Sequence, residues 1–279
     1  MAALARPAEA DDPPAPAAAA TVSAACALEP GPTRAVTSVL DGETIVLDDG
    51  SHVRLVGALA PSPPLSAPAP ERWRPQAQAT AALTDLLAGG SVALGFAGVR
   101  TDRYGRLLAQ VHLVREGERV WVQEHMIRLG HARAYALPGS GPACATRLVE
   151  VERHARAQRA GLWSSAAYAI RDAERTSELM RLRSTFQLVE GRIVEVGRSR
   201  GRIYLNFGAD WREDFTVGVS AELARAHAEW AAGLDALRGA RVRARGFIER
   251  RNGPFIALDD PAFLEVLEPT ASGADAEGR

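Results

Sequence analysis

Apolar and polar residues alternate in short runs along the first half of the chain, a pattern that predicts β-strands. The predicted strands cover residues 33–40, 43–47, 52–57, 92–99 and 107–114. Asp41-Gly42 and Asp48-Asp49-Gly50 separate the first three strands and favour tight turns, so these strands form a meander. Apolar residues at helical spacing predict helices over residues 72–87, 120–129 and 145–160, each followed closely by glycine.

The second half of the chain predicts another β-rich unit. Its predicted strands are residues 191–196, 202–207, 214–217, 241–248, 254–258 and 263–267. Ser220 is the predicted N-cap of a helix over residues 220–230, and Asn252-Gly253 is a hairpin signal. The charged residues 171–185 between the two units predict a helical linker.

Composition changes this picture little. The 279 residues, 47% of them hydrophobic, are enough for two domains. A net charge of −1 gives no overall attraction to nucleic acid or to anionic membranes. No run of about 18 apolar residues is present, so no membrane span is predicted. Residues 1–32 and 269–279 are rich in small and polar residues and predict disordered tails.

Three short motifs follow one another in the first half, and together they resemble a known family. The motifs are Asp41-Gly42-Glu43-Thr44, residues 52–57 and Asp102-Arg103-Tyr104-Gly105-Arg106. In this order they resemble the staphylococcal nuclease (thermonuclease) family, whose members cut DNA and RNA with calcium. The resemblance covers residues 33–170 and implies an α+β fold that is mainly β, an OB-fold barrel with three packed helices. Residues 186–268 predict a second, smaller OB-like barrel.

The resemblance implies ligand contacts for four residues. Arg54 and Arg106 match the two family arginines that neutralise the phosphate, a task for which the guanidinium group is suited. Tyr104 matches a tyrosine beside the ligand, and Tyr135 matches a second tyrosine that stacks on a base. The alternative is that the arginines are exposed strand residues without a site and the tyrosines ordinary half-buried aromatics.

The chain departs from the family at the metal site and at the general base. Glu43 falls where the family has a metal-ligating Asp, and Asp41 falls at a mainly structural position. Leu59 replaces the second acidic ligand, and Ser62 replaces the catalytic Glu. Since calcium affinity follows the charge and number of the ligands, calcium binding is expected to be weak or absent. Glu71, in the same loop, is the alternative base.

The chain has two cysteines, Cys26 and Cys144. The family is often exported, and an exported protein with two cysteines often pairs them, so a disulfide is one interpretation and two free thiols are the other. Export to the periplasm or the medium is expected from the resemblance alone. The small-residue stretch at 17–25 makes a poor signal peptide because acidic residues precede it.

Alternation places Arg241, Arg243 and Arg245 on one face of a predicted strand. A solvated face and a groove for nucleic acid are both compatible with this pattern.

Three functions remain open from the sequence. The first is an active metal-dependent nuclease with a rearranged site, and the second is a non-catalytic module that binds nucleic acid or another phosphorylated ligand. The third is a scaffold or interaction protein of the cell envelope. Because the phosphate arginines are retained while Leu59 and Ser62 replace carboxylates, we predict a thermonuclease-like protein with weak or no activity.

Overall fold

The computed structural model describes residues 26–63, 73–136 and 144–269. The strands are β1 (Glu29–Asp41), β2 (Thr44–Leu47), β3 (His52–Leu55), β4 (Ala58–Leu59), β5 (Ser91–Phe96), β6 (Leu107–Arg115), β7 (Glu118–Trp121), β8 (Arg133–Ala134), β9 (Arg171–Asp172), β10 (Phe186–Arg192), β11 (Glu195–Ser199), β12 (Arg202–Asn206), β13 (Thr216–Val219), β14 (Arg241–Arg251), β15 (Gly253–Leu258) and β16 (Leu264–Glu268). The helices are α1 (Arg74–Leu87), α2 (Val122–Arg128), α3 (Ala145–Ala157), α4 (Thr176–Arg181), α5 (Ala221–Ala226) and α6 (Ala228–Gly233).

The first β unit comprises β1 to β8 with α1 to α3. Its strands pair in the order β3-β2-β1-β5-β6-β7, and β3 also pairs in parallel with β6, so the pairings return to their starting strand. The apolar side chains that alternate along β2 and β3 are buried against the helices. They include Ile45, Leu47, Val53 and Leu55 from the strands and Leu83 and Leu87 from α1.

The second β unit comprises β9 to β16 with α4 to α6. As in the first unit, three antiparallel strands, here β11, β12 and β13, are followed by a parallel pair. Its sheet runs β11-β12-β13-β15-β14-β10-β9, with a parallel pair between β13 and β15. Only residues 193 and 194 separate β10 from β11. The Ser220 side chain accepts from the Leu223 amide at 3.0 Å, and Asn252 has φ +68° in the β14–β15 hairpin, as both sequence signals predicted. The predicted mixed fold, a nuclease-like OB unit followed by a second β unit, is confirmed.

Several boundaries differ from the predictions. β1 begins at Glu29, inside the predicted N-terminal tail, because residues 29–35 pair with β5. The predicted helical linker contains a strand, β9, which pairs in parallel with β10, before the short helix α4. The helix predicted over residues 220–230 is divided into α5 and α6 at His227, whose φ and ψ are not helical. Residues 1–25, 270–279 and Glu71 lie outside the described residues, so the predictions for them remain open.

A buried ionic network joins the two units. We call Glu152 and Arg156 of α3, with Arg245 of β14 and Glu265 of β16, the junction network. Arg245 donates to Glu152 at 2.8 Å and to Glu265 at 2.5 Å, and Arg156 donates to the same two carboxylates at 3.0 and 3.1 Å. The Glu152 and Arg245 side chains are fully buried. Charged side chains of α3, β14 and β16 therefore meet inside the molecule.

The arginines of β14 differ from both interpretations of the sequence pattern. Arg245 lies neither on a solvated face nor in an open groove, since its side chain is fully buried between two carboxylates. Arg243 is paired with Glu190 and Glu265, and Arg241 with Glu190 and Glu268. The three guanidinium groups therefore have carboxylate partners within the chain.

Candidate functional site

The turn between β1 and β2 positions Glu43. The Asp41 carboxylate accepts from the Glu43 amide at 2.8 Å and fixes the turn. The Glu43 carboxylate then pairs through Oε1 with Arg54 Nη2 at 3.0 Å, and its Oε2 accepts from the Ala60 amide at 3.0 Å. Both carboxylate oxygens of Glu43 thus already have a partner within the first unit.

Burial dominates the electrostatics of Glu43. Burial raises the pKa of its carboxyl, and the nearby Asp41 charge adds to the rise. The charges of Arg54 and Arg106 and the Ala60 amide act in the opposite direction and do not fully compensate. Of the two arginines, Arg54 is in direct contact with this carboxyl.

The loop before β6 positions Arg106 and Tyr104. Asp102 Oδ1 accepts from the amides of Tyr104 at 2.9 Å and Arg106 at 3.0 Å, and Asp102 Oδ2 accepts from Arg106 Nε at 2.7 Å. Burial acts to raise the pKa of Asp102, but these hydrogen bonds outweigh it and the pKa is lowered. Gly105 has φ +78°, a conformation that favours glycine and lets the loop close.

Strand pairing brings the two arginines to one part of the surface. β3 and β6 run in parallel with Arg54 opposite Leu108, so Arg106 lies just before the strand that neighbours Arg54. Tyr104 is 69% exposed, and its ring lies 5.0 Å from the Arg103 guanidinium and 5.6 Å from that of Arg106. The arrangement is an exposed aromatic ring beside two cations, Arg103 and Arg106, and Arg106 also has a carboxylate partner.

Tyr135 lies at the boundary between the two units. Its amide donates to the Gly57 carbonyl at 3.0 Å, which ties it to the chain just beyond β3. Its ring packs edge-on against Phe186 at 5.5 Å and Phe247 at 6.0 Å, both from the second unit. Burial, with a contribution from the Asp259 charge, raises the pKa of the Tyr135 phenol to about 12. The sequence reasoning missed both phenylalanines because they are remote from the family motifs along the chain.

The described residues do not fit a calcium ion. Leu59 pairs with Arg133 between β4 and β8 and offers no oxygen ligand from its side chain, while Ser62 is exposed. Glu43 is the carboxylate at the expected metal position, and Arg54 already neutralises it at 3.0 Å. Within residues 26–63, 73–136 and 144–269, no group of three His, Cys, Asp or Glu side chains could hold a metal. Calcium prefers six to eight oxygen ligands, so this donor set is too small.

Cys26 and Cys144 form a disulfide in the structure, with Cα atoms 5.0 Å apart, in the range such bonds require. The bond ties the segment before β1 to the residue before α3. None of the helices among the described residues is long and apolar enough to cross a membrane.

Comparison with known families places this geometry in context. The strand order, with the β1–β2 turn and the loop before β6 beside each other, defines an OB-type, nuclease-like unit. Residues 52–165 match the family model described as staphylococcal nuclease homologue. This part of the chain is similar to that family, as the motifs predicted. Arg54, Tyr104, Arg106 and Tyr135 lie inside the matched range, whereas Glu43 precedes it and the second β unit follows it. No curated protein matches the chain.

Proposed function

We propose that this protein is a staphylococcal nuclease homologue that binds nucleic acid through the Arg54 and Arg106 surface and cleaves phosphodiester bonds weakly or not at all. The observation that carries the proposal is the state of Glu43, whose two oxygens are engaged by Arg54 and the Ala60 amide. Leu59 and Ser62 add no carboxylate beside it.

Loss of cleavage follows from what the reaction needs. Phosphodiester hydrolysis by this family requires a metal to polarise the phosphate and a base to activate water. Losing a general base costs about 10²- to 10⁴-fold in rate, and losing the metal costs more. Ser62 does not accept a proton from water near neutral pH. The described residues therefore retain the cations of the reaction without its base.

Binding has independent support. The Arg54 side chain is 21% exposed and that of Arg106 is 23% exposed, so both guanidinium groups reach solvent although each has a carboxylate partner. A phosphate displaces the carboxylate partner of a partly exposed guanidinium more easily than that of a buried one. The reason is that water already screens the ion pair between an exposed guanidinium and its carboxylate. Tyr104 adds an exposed ring for stacking.

The test is a nuclease assay on single-stranded DNA, double-stranded DNA and RNA, with calcium, magnesium, manganese or chelator. We expect little or no metal-dependent cleavage, together with gel-shift retention at low salt that Arg106→Ala weakens. Arg115→Ala, which removes an exposed arginine at the far end of β6, is the matched control. Metal-dependent cleavage that disappears in Arg106→Ala would contradict the proposal and would direct attention to Glu71.

A scaffold role in the cell envelope is the second candidate. The observation in its favour is that Arg54 and Arg106 are both already paired with carboxylates, at 3.0 and 2.7 Å. Absence of both cleavage and low-salt retention in the same assay would support this second function. Export of the protein, on which the envelope role depends, is itself part of that proposal.

A further inference from the structure

We propose that the outer face of the β11–β12 hairpin is a second contact for nucleic acid, so that one strand engages both β units of the chain at once. This inference rests on the proposed function and adds to it a site in the unit that lies outside the family match. It starts from two arginines and a tyrosine that are close together along the chain, Arg200, Arg202 and Tyr204.

A tight turn presents the two arginines. Arg200 and Gly201 have positive φ angles, +50° and +76°, and connect β11 to β12 in an antiparallel hairpin. Arg200 and Arg202 are both exposed. In the described part of the chain neither of them has a carboxylate partner, whereas Arg198 of the same hairpin is held by Asp235 at 2.8 Å. The tip of the hairpin therefore carries two cations that the chain does not neutralise internally.

Tyr204 lies on the same face of β12 as Arg202, because side chains two residues apart along a strand point the same way. Its neighbours on this face are glycines, Gly197 on β11 and Gly218 on β13. A side chain at Gly197 would meet no atom within 4 Å, so the face is open on that side of Tyr204. On the other side the Phe255 ring fills the space, 2.1 Å from where a Cβ at Gly218 would lie.

This face is the outside of the sheet. Ile203 and Leu205, which alternate with Tyr204 along β12, are buried in the core of the unit. Tyr204 is half-buried, and the open space beside it has a glycine as its floor. A nucleotide carries a flat base next to a phosphate, so an accessible ring with guanidinium groups next along the strand matches its chemistry.

The junction network fixes this face relative to the first unit. Glu152 of α3 and Arg245 of β14 are bonded at 2.8 Å, and both side chains are fully buried. Two contacts on a rigid chain have a fixed separation, so a strand must exceed a minimum length to reach both of them. Above that length the second contact is intramolecular, and affinity rises steeply without any new contact.

The experiment measures binding of the full chain to labelled oligothymidylates from about 4 to about 40 nucleotides long, by fluorescence anisotropy. The double variant Arg200→Ala with Arg202→Ala should bind the longest probe about 10- to 100-fold more weakly than the wild type and the shortest probe equally well. For the longest probe, the slope of log Kd against log salt should fall by about 1 to 1.5, since each phosphate contact contributes about 0.7.

The matched control is the double variant Arg181→Ala with Arg183→Ala. It removes two exposed arginines of the same unit that likewise have no carboxylate partner in the described part of the chain. Because the net charge changes by the same amount, this variant should keep the length dependence of the wild type. Tyr204→Leu keeps an apolar side chain and removes the ring, and it should weaken binding of the longest probe about 5- to 50-fold. Thermal unfolding of each variant verifies folding.

The remaining outcomes separate this inference from the proposed function. If the Arg200 and Arg202 variant keeps the length dependence of the wild type while Arg106→Ala loses the shortest probe, the second contact is wrong and the proposed function stands. An equal loss for short and long probes in the hairpin variant would also overturn the second contact. Long-probe binding that requires the hairpin and not Arg106 would overturn both proposals, as would a wild type that binds no probe.

Discussion

The two β units share a strand order and use their arginines in opposite ways. In the first unit, Arg54 on β3 is 21% exposed and has one carboxylate partner, Glu43. In the second, Arg245 on β14 is fully buried between two carboxylates. The two strands hold different places in the shared order, and the difference in burial comes from their neighbours, since side chains of α3 and β16 enclose Arg245 whereas Arg54 is partly exposed. Whether an arginine on a strand of this fold is buried or partly exposed therefore depends on its tertiary neighbours.

The strongest way to break this comparison is to remove the buried cation. Arg245→Ala is expected to destabilise the protein by about 3–5 kcal/mol, because the buried Glu152 would lose one of its two arginine partners and keep only Arg156. Urea denaturation measures the free energy of unfolding. Arg241→Ala, on the same strand but 47% exposed, is the matched control and should cost about 1 kcal/mol or less. Similar losses of stability in the two variants would show that the buried junction network contributes no more than an exposed ion pair.

The second prediction concerns the disulfide, which constrains only the first unit. The bond closes a loop with a sequence separation of 118, so Cys26→Ser with Cys144→Ser is expected to cost about 2–5 kcal/mol in the oxidised protein. The measurement is again urea denaturation, with and without reductant. Thiol titration of the unreduced, denatured wild type is the direct check, and two free thiols there would exclude the bond.

The third prediction uses the partly exposed pair of Arg54 and Glu43. Glu43→Gln removes the charge that competes with a ligand phosphate for Arg54, so affinity for a single-stranded oligonucleotide should rise about 3- to 10-fold at low salt. Arg54→Ala should lower the affinity, because it removes the cation itself. Fluorescence anisotropy measures both changes. If both variants lowered the affinity, Glu43 would be a contributor to binding rather than a competitor.

The fourth effect is a pH dependence within the second unit. Burial, with the charges of Glu249 and Asp260, raises the pKa of Asp259 to about 6. The unfolded chain loses this proton near its usual pKa of about 4, so the folded protein holds more protons between these values. The free energy of unfolding should therefore fall as the pH rises from about 4 to about 6 and then level off.

Asp259→Asn tests this dependence. The variant is expected to have a smaller slope between about pH 4 and pH 6, where Glu43 and Asp260 with their raised pKa values still contribute, and to be more stable than the wild type at pH 7. Below this window Glu265 provides an internal control. Burial acts to raise the pKa of Glu265, but Arg245 and Arg156 hold it at about 2, so stability should be lost as the pH falls from about 4.3 to about 2 in both proteins. An unchanged slope between pH 4 and 6 in Asp259→Asn would contradict the assignment.

Much of the fold was predictable because local signals and the final structure agree. The alternating apolar positions of β2 and β3 are the buried ones, Ser220 is an N-cap and Asn252 has a positive φ. The predictions failed where a partner remote in sequence decides. β9 lies in a charged segment without strand periodicity and exists through its pairing with β10. The prediction begins a helix at residue 120, although residues 120 and 121 belong to β7, which pairs with β6.

The candidate site also has features that the sequence predicts and features that only the tertiary structure decides. The sequence alone determined that Asp41, Glu43, Arg54 and the residues 102–106 form one nuclease-like pattern, and that positions 59 and 62 carry no carboxylate, because residue identity fixes which side chains carry charge. Only the tertiary structure decided that Arg54 neutralises Glu43, that Arg245 is buried and that Phe186 and Phe247 surround Tyr135. The physical reason is that burial and ion pairing depend on which segments pack together, and these segments are remote from one another along the chain.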